Sequence, residues 1–442
     1  MSEAAVRREF LAGSGLRGEA LRRLQERKLR SLVRAAARGC PAYEALLRSH
    51  GVHPAEIRTL DDLPRLPVVE KSHIVENAPW GWVSAPQSTI ARFIESSGST
   101  GKPKLIAVSE QEKKRIFELS ARSFYLSGVR GDGVIYPALP HGPWASAFFV
   151  QNGCERIGPT VPAEMSLPMA WHAERLKTYR PKYLITSPSF AAKLVEESGV
   201  DFPALGLKRA VVGAEGCGKR QRSRLEEAFG TTVLQGYGCT EIGVAAAECE
   251  EKSGLHYFAD EYIIEVVDPK TREPVAPGEK GEMLVTCLFK DSMPMIRYAM
   301  RDMISLLGEC SCGLGYPLMS HILGRSDDMM TLGAANVYPH QVMDAVTSVP
   351  ELSERFQFIV SKRGLRDHAV LRAELRPGAR PEGVAARVLA ALKAQSSELV
   401  YVTDKARMIA DPEVEFVPPG SLAPSGGGLK LRRFVDEREI QG

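Results

Sequence analysis

Ile94-Glu95-Ser96-Ser97-Gly98-Ser99-Thr100-Gly101-Lys102-Pro103-Lys104 is the stretch around which the rest of the chain is organised. It packs hydroxyl side chains, two glycines and two lysines into one short segment, between runs that alternate like strands, ARFIE before it and KLIAVS after it. Gly98 and Gly101 let backbone amides approach a ligand closely, the hydroxyls donate hydrogen bonds and the lysines supply charge, so the loop suits a polyanion such as a nucleotide phosphate. The common phosphate loop GxxxxGK[ST] does not fit. Only Ser99 and Thr100 separate the two glycines, and Pro103 follows Lys102 where Ser or Thr should bind magnesium. Pro103 and the flanks predict strand, loop, strand rather than strand, loop, helix. A surface turn of the same composition is the bland alternative.

The chain has 442 residues, 44% of them hydrophobic, which is enough for more than one domain with sizeable cores. A formal net charge of +3 is nearly balanced at this length, so nothing global calls for nucleic acid or a membrane surface as partner. No apolar run reaches the roughly 20 residues of a membrane helix. The N-terminal MSEAAVRREF has no apolar signal core, and a cytoplasmic location is expected. Eight cysteines do not make a disulfide scaffold here, and a cluster of them is better tested against metal binding.

Residues 1–80 read as helical. Leu21, Leu24, Leu29, Leu32 and Val33 fall near helical spacing among many arginines, which predicts an amphipathic helix with a solvated basic face; no aromatic residues interleave there as nucleic-acid stacking platforms. A second helix, YEALLRSHGV, ends near Gly51, and a proline-marked connector follows. From about residue 90 to 325 strands and helices alternate as in an α/β domain. GVIYPA, KYLITS, LKRAVVGA and TTVLQGYG are strand candidates, and EQEKKRIFELSARSFYLSG, AWHAERLKTY and SPSFAAKLVEES are helix candidates. The turns Thr186-Ser187-Pro188-Ser189, Gly213-Ala214-Glu215-Gly216 and Gly236-Tyr237-Gly238-Cys239-Thr240-Glu241 end three strands and are predicted to line one crevice. EYIIEVVD, EKGEMLVTCLF and DMISLLG read as antiparallel strands. Near GRSDDMM the pattern changes to a separate small α+β unit of strands and helices, ending in a glycine-rich loop and a basic strand, APSGGGLKLRRFVDER. The expected division is 1–325 and 326–442.

Two thiols stand close in Cys310-Ser311-Cys312, and Cys249 lies shortly before His256. Brought together by folding, these pairs would give a closed, structural Cys₃His zinc site; the alternative is four reduced, unliganded side chains. Cys40, Cys154, Cys217, Cys239 and Cys287 look like small core or loop residues.

SSGSTGKPK, GAE at 213–215, YGCTE at 237–241, IRYAMRD at 296–302, GRSDDMM at 324–330 and a late Lys430 occur in that order. The ordered set resembles the adenylate-forming superfamily and, within it, the phenylacetate-CoA ligase family of aryl and acyl CoA ligases, from about Leu21 to Arg438. The resemblance implies a large N-terminal adenylate-forming domain, β-sheets flanked by helices, and a small mobile C-terminal α+β domain carrying Lys430. It implies a two-step reaction: a carboxylic acid attacks the α-phosphate of ATP, giving an acyl-adenylate and pyrophosphate, and the thiol of coenzyme A then displaces AMP. Such chemistry needs phosphate charge neutralised and a metal ion for the leaving pyrophosphate.

On the resemblance, Ser96, Ser97, Gly98, Ser99, Thr100, Gly101, Lys102 and Lys104 hold the β and γ phosphates. Thr240 meets the α-phosphate and Glu241 ligates Mg²⁺; an acid in a helix's first turn is the alternative for Glu241. Gly213, Ala214, Glu215 and Gly238 lie along the adenine with Tyr237 stacked on it, or else Tyr237 is core packing. Asp302 accepts the ribose hydroxyls and Arg325 touches the ribose or phosphate. Asp327 is the hinge, and Lys430 reaches the α-phosphate and acid carboxylate in the adenylating pose. The family also often shows cysteines and a histidine at the zinc positions. Two departures stand out: Ala299 occupies the usual arginine position, and Leu429 the usual glycine before the late lysine, so that Lys104, Arg432 and Arg433 compete with Lys430 as the catalytic cation.

The acid pocket is expected between residues 136 and 240, from among His141, Trp144, Phe148, Phe149, Ser189, Phe190 and Ala214, most of which are core residues by default. The resemblance implies an aryl or small organic carboxylic acid as the substrate. A second reading loads the acyl group onto a carrier protein or an amine, a third is a nucleotide-binding regulator without catalysis, and a homodimer is left open.

Overall fold

The computed structural model describes residues 9–95, 104–326, 330–333, 335–364, 366–422, 431 and 433–438. The chain divides into two compact units: Met1–Glu215 with Leu225–His321, and Gly216–Arg224 with Ile322–Gly442. The expected junction at 325/326 falls just inside the second unit.

The first unit opens with a helix over Gly18–Gly39, followed by one over Pro41–Ser49 whose proline sits in the first turn, where no amide bond is lost. The first helix buries Leu29, Leu32, Val33 and Ala36 as its spacing predicts, with Leu21 and Leu24 half-buried. Gln25 is buried among them because its amide donates to the carbonyl of Ala259 at 2.9 Å, which satisfies the polar group away from water.

Strands β1 (Ile90–Glu95) and β2 (Leu105–Ser109) flank the hydroxyl- and lysine-rich stretch and pair antiparallel, Glu95 opposite Leu105. A strand therefore stands on either side of the stretch, as its flanks predict, and residues 96–103 themselves lie outside the described residues. Ser109 ends β2 and starts the helix Glu110–Leu126 through a capping box: its Oγ accepts from Glu112 N at 3.1 Å and Glu112 Oε2 accepts from Ser109 N at 3.2 Å. Glu112 Oε1 also accepts from Ser292 N at 2.8 Å, which anchors this helix start to a distant segment.

A nine-stranded mixed sheet forms the core of the unit. Its parallel part is β3 (Ile135–Leu139), β4 (Ala163–Glu164), β5 (Tyr183–Thr186), β6 (Arg209–Val212) and β7 (Val233–Cys239), in the order β7-β6-β5-β3-β4. Strands such as IYPAL and YLIT are buried throughout, as parallel strands covered on both faces must be. β7 then turns into antiparallel β8 (Gly243–Glu248), which pairs with β9 (Leu255–Tyr257). A separate antiparallel sheet holds β10 (Tyr262–Val267), β11 (Gly281–Cys287) and β12 (Tyr298–Ile304).

DMISLLG reads as one strand, but the chain changes sheets at Ser305. β12 ends at Ile304, while β13 (Leu306–Leu307) pairs with β14 (Leu318–Met319) at the edge of the nine-stranded sheet. Ser305 N donates to Ser320 Oγ at 3.0 Å and its carbonyl accepts from Ser320 N at 2.9 Å, so the crossing keeps its backbone bonds.

In the second unit, β15 (Met330–Leu332) pairs with β16 (Ala335–Val337), and a four-stranded sheet runs β19-β18-β17-β20. Its strands are β17 (Leu352–Arg363), β18 (Arg366–Leu375), β19 (Glu413–Val417) and β20 (Phe434–Asp436). The helices Pro339–Thr347 and Val384–Gln395 accompany a core that includes Val342, Val346, Phe356, Phe358, Leu371, Val388 and Leu392, the α+β unit the sequence predicts.

Candidate functional site

Three adjacent parallel strands, β5, β6 and β7, deliver the three small-residue turns to the same end of the sheet. The first two are tied together: Gly213 N donates to the carbonyl of Thr186 at 3.1 Å, and Ser189 N donates to Glu215 Oε1 at 2.9 Å. Gly213 is required sterically, because a Cβ there would stand 2.9 Å from the carbonyl oxygen of Gly236 on β7. Ala214 is exposed and holds a left-handed backbone, φ +69°, a conformation unfavourable for a residue with a side chain and typical of ligand clamps.

Thr240, Glu241 and Ile242 form the tip of the β7–β8 hairpin, and Gly243 at φ +78° closes it. Glu241 therefore lies in a hairpin turn, and the helix-first-turn alternative does not apply. Gly238 permits the hairpin: a Cβ there would come 2.5 Å from the carbonyl oxygen of Gly243.

The hairpin runs alongside β12. Tyr237 OH donates to Asp302 Oδ2 at 2.5 Å, and Glu241 Oε1 accepts from Tyr298 OH at 3.1 Å. Two motifs about sixty residues apart in sequence are thus joined by two side-chain pairs in opposite order, 237 with 302 and 241 with 298. Glu241 is 5% exposed and its Oε1 is also paired with the ammonium of Lys104, at the start of the chain leading into β2. Lys104 Nζ in turn reaches Tyr298 OH at 3.4 Å. A nearly buried carboxylate with a cation against it is a hard-oxygen donor of the kind magnesium takes.

Asp302 owes its direction to an irregularity in β12. Leu284 is opposite Ala299 but Glu282 is opposite Met303, so β12 carries extra residues over 300–302, and Arg301 there has φ +65°. The Arg301 guanidinium donates to Glu70 Oε2 at 2.6 Å and reaches the fully buried Glu282 at 3.4 Å; Glu70 and Glu282 are bridged again by Arg272 at 2.9 and 2.6 Å. This network of charge-assisted bonds holds the bulge.

The residues expected around the acid are more dispersed in environment. His141 is exposed, and its backbone N donates to Glu164 Oε2 at 2.5 Å. Trp144 precedes the helix Ala145–Glu155 and is half-buried. The ring of Phe148 lies 5.2 Å from that of Phe117, with the Arg92 guanidinium 4.1 Å above it. Phe149 is core, Ser189 is exposed, and buried Phe190 stacks edge-on against His172 at 5.1 Å. His172 is fully buried, its Nδ1 2.8 Å from Tyr136 OH, and burial lowers its pKa.

Cys249, His256, Cys310 and Cys312 converge, their ligand atoms all within 4.8 Å of one another. Cys249 follows the end of β8, His256 lies on β9, and the CxC pair sits in the β13–β14 connection, so adjacent strands at one sheet edge assemble the cluster. Cys249 Sγ is 3.7 Å from Cys310 Sγ, and Cys312 Sγ is 3.3 Å from His256 Nε2. Sulfurs bound tetrahedrally at zinc–sulfur distances of about 2.3 Å would stand about 3.8 Å apart, so the donor set fits zinc. His256 Nδ1 lies 2.9 Å from the carbonyl of Tyr316, which places the proton on Nδ1 and turns Nε2 towards the thiols.

Ser96, Ser97, Gly98, Ser99, Thr100, Gly101, Lys102, Asp327 and Lys430 lie outside the described residues. Arg325 is half-buried in the second unit. Sequence reasoning missed Tyr298, although a tyrosine four residues before Asp302 in the same strand is the signal that could have found it.

Residues 41–287 match the family model described as AMP-binding enzyme, and residues 334–438 that described as AMP-binding enzyme C-terminal domain. Phenylacetate-coenzyme A ligase of Thermus thermophilus is 34% identical over 436 residues, spanning 95% of this chain and 97% of that protein. Its counterpart of the same name in Escherichia coli is 31% identical over 363 residues, 80% and 83% of the two chains. Among solved structures, 2-hydroxyisobutyryl-CoA ligase in complex with R3-HIB-AMP superposes with a TM-score of 0.82 at 24% identity, covering 94% of this chain and 89% of that one, a likeness of fold.

Proposed function

As the chain belongs to the AMP-binding enzyme family and, within it, to the AMP-forming acid–coenzyme A ligases related to phenylacetate-coenzyme A ligase, we propose that it activates an aryl or small organic carboxylic acid with ATP and passes the acyl group to coenzyme A. The observation that carries this reading is the alignment of the β7–β8 hairpin with β12, where Tyr237 meets Asp302 while Glu241 meets Tyr298 and Lys104. In this reading the acid's carboxylate attacks the α-phosphate, the bond to the β-phosphate breaks, and pyrophosphate leaves with the electron pair. The thiol of coenzyme A then attacks the acyl carbon and AMP departs.

Thr240 orients the α-phosphate, Lys104 and the hydroxyl- and lysine-rich stretch over 96–102 carry the remaining phosphate charge, and Asp302 accepts the ribose hydroxyls while Tyr237 faces the base. Glu241 would hold magnesium, whose charge stabilises the departing pyrophosphate. Lys430 is inferred to be the cation at the acid carboxylate, Asp327 the pivot of the C-terminal unit and Arg325 a ribose or phosphate contact. Cys249, His256, Cys310 and Cys312 would hold a structural zinc ion. His141, Trp144, Phe148, Ser189 and Phe190 are inferred to border the acid, with aromatic faces suited to a flat substrate.

The test is a pyrophosphate-release screen with the full chain over aryl, heteroaryl and short aliphatic acids, followed by thioester analysis with coenzyme A. Release with one class of acid, and its coenzyme A thioester as product, is the expected result. Fast adenylate formation with negligible thioester, but transfer to a pantetheinylated carrier protein, would replace coenzyme A by a carrier as acceptor. ATP binding with no acid eliciting pyrophosphate would overturn the enzymatic reading.

A further inference from the structure

The partners of Glu241 differ in how firmly they are held. Glu241 is on a three-residue hairpin tip, a long side chain on a short turn. Lys104 borders the phosphate-loop stretch at the entrance to β2 and has a flexible four-carbon stem. Tyr298, by contrast, is 2% exposed and sits within β12 opposite Val285. Its backbone neighbours are fixed on both sides: Ala299 N donates to the carbonyl of Val69 at 2.9 Å, and Val69 N to the carbonyl of Arg297 at 3.1 Å. Arg297 is itself buried, its guanidinium on Glu265 at 3.0 Å and on the carbonyls of Pro64 and Leu66 at 2.9 and 2.6 Å. The phenol therefore comes from a firmly anchored point of β12.

Resting on the proposed nucleotide reading, we propose that Tyr298 is a positioning residue for metal–nucleotide binding: its hydroxyl fixes Oε1 of Glu241 so that the other carboxylate oxygen is presented to the cation. Both contacts to Glu241 fall on Oε1, and Oε2 has no partner among the described residues. Lys104 lies 5.9 Å from the Tyr298 ring centroid and 3.4 Å from its hydroxyl, so the phenol meets both members of the ion pair. Without the hydroxyl, Oε1 keeps the lysine alone among the described residues, and the carboxylate follows that ammonium when it turns to phosphate. With it, the carboxylate stays in place while Lys104 leaves. A hydrogen bond to a charged group of this kind corresponds to a change in affinity on the order of tenfold or more.

Binding of ATP to the full chain, measured by isothermal titration calorimetry with excess magnesium and again with EDTA, reads this directly. Tyr298→Phe keeps the ring and its packing, and is expected to weaken Mg·ATP binding about tenfold while leaving metal-free ATP within about twofold and the thermal midpoint unchanged. In a Glu241→Gln background the same change is expected to add nothing, because the carboxylate it positions is gone. Unaltered Mg·ATP affinity in Tyr298→Phe, an equal loss with and without metal, or additivity with Glu241→Gln would each overturn the positioning role. If wild-type chain shows no metal-dependent ATP binding, or Glu241→Gln costs nothing, the nucleotide reading itself fails, an outcome separable from the first set.

Discussion

The phenol of Tyr237 donates to Oδ2 of Asp302 at 2.5 Å, linking β7, the last parallel strand, to the bulged strand of the three-stranded sheet. A charge-assisted contact this short aligns the carboxylate before any nucleotide arrives, and costs no rearrangement at binding.

Asp302→Ala is accordingly expected to raise the ATP KM by roughly 10- to 100-fold, the worth of about 1.5–3 kcal/mol for bonds to a charged group. Tyr237→Phe, which leaves the carboxylate in place, is expected to raise it less, by about threefold to tenfold. Pyrophosphate release at varied ATP measures both. Equal effects of the two changes would mean that Asp302 does not meet the ribose.

Gly213→Ala introduces a methyl 2.9 Å from the backbone oxygen of Gly236, a residue of β7 held in register with Ala247 of β8. A destabilisation of about 1–3 kcal/mol is expected in urea unfolding. Gly216→Ala, where an added Cβ meets nothing within 4 Å, is the control and should stay within about 0.5 kcal/mol.

The Cys₃His cluster predicts about one zinc ion per purified chain by elemental analysis, with Cys312→Ser losing most of it and unfolding at a lower temperature. Chelator treatment of the wild type should lower its thermal midpoint in the same direction. Full zinc content in Cys312→Ser would remove that residue from the ligand set.

His172 titrates against folding. Burial holds its pKa below the ordinary 6.5 despite an opposing bond towards Glu164, so the folded chain keeps the ring neutral where the unfolded chain protonates it. Its contribution is complete above about pH 6.5 and is lost as pH falls towards the lowered folded value. Thermal midpoints between pH 7 and 5 should fall less steeply in His172→Phe than in wild type. Identical slopes would show that His172 titrates alike in both states.

Much of the architecture was legible because it is local. The alternation in ARFIE and KLIAVS gave β1 and β2, and the strand candidates GVIYPA, KYLITS and LKRAVVGA contain the observed strands IYPAL, YLIT and RAVV. Where periodicity failed, a long-range contact decided. Gln25 is buried through the carbonyl of Ala259, and DMISLLG divides between two sheets at Ser305, a choice of partner that no repeat of period 2 encodes.

The site divides in the same way. Which groups are present is written in the chain: a hydroxyl- and lysine-rich stretch without the P-loop spacing, a Thr240-Glu241 pair, a carboxylate at 302, and thiols two apart at 310 and 312. Tertiary structure alone decided which of them meet. Tyr237 with Asp302, Glu241 with Lys104 and Tyr298, and Cys249 with Cys310 are pairs between segments far apart in the chain, set by strand register, by the β12 bulge and by the sheet order that puts β9 beside β14. A residue's chemistry is written in its side chain, whereas its partner depends on the twist and register of strands that pair only when the whole chain has folded.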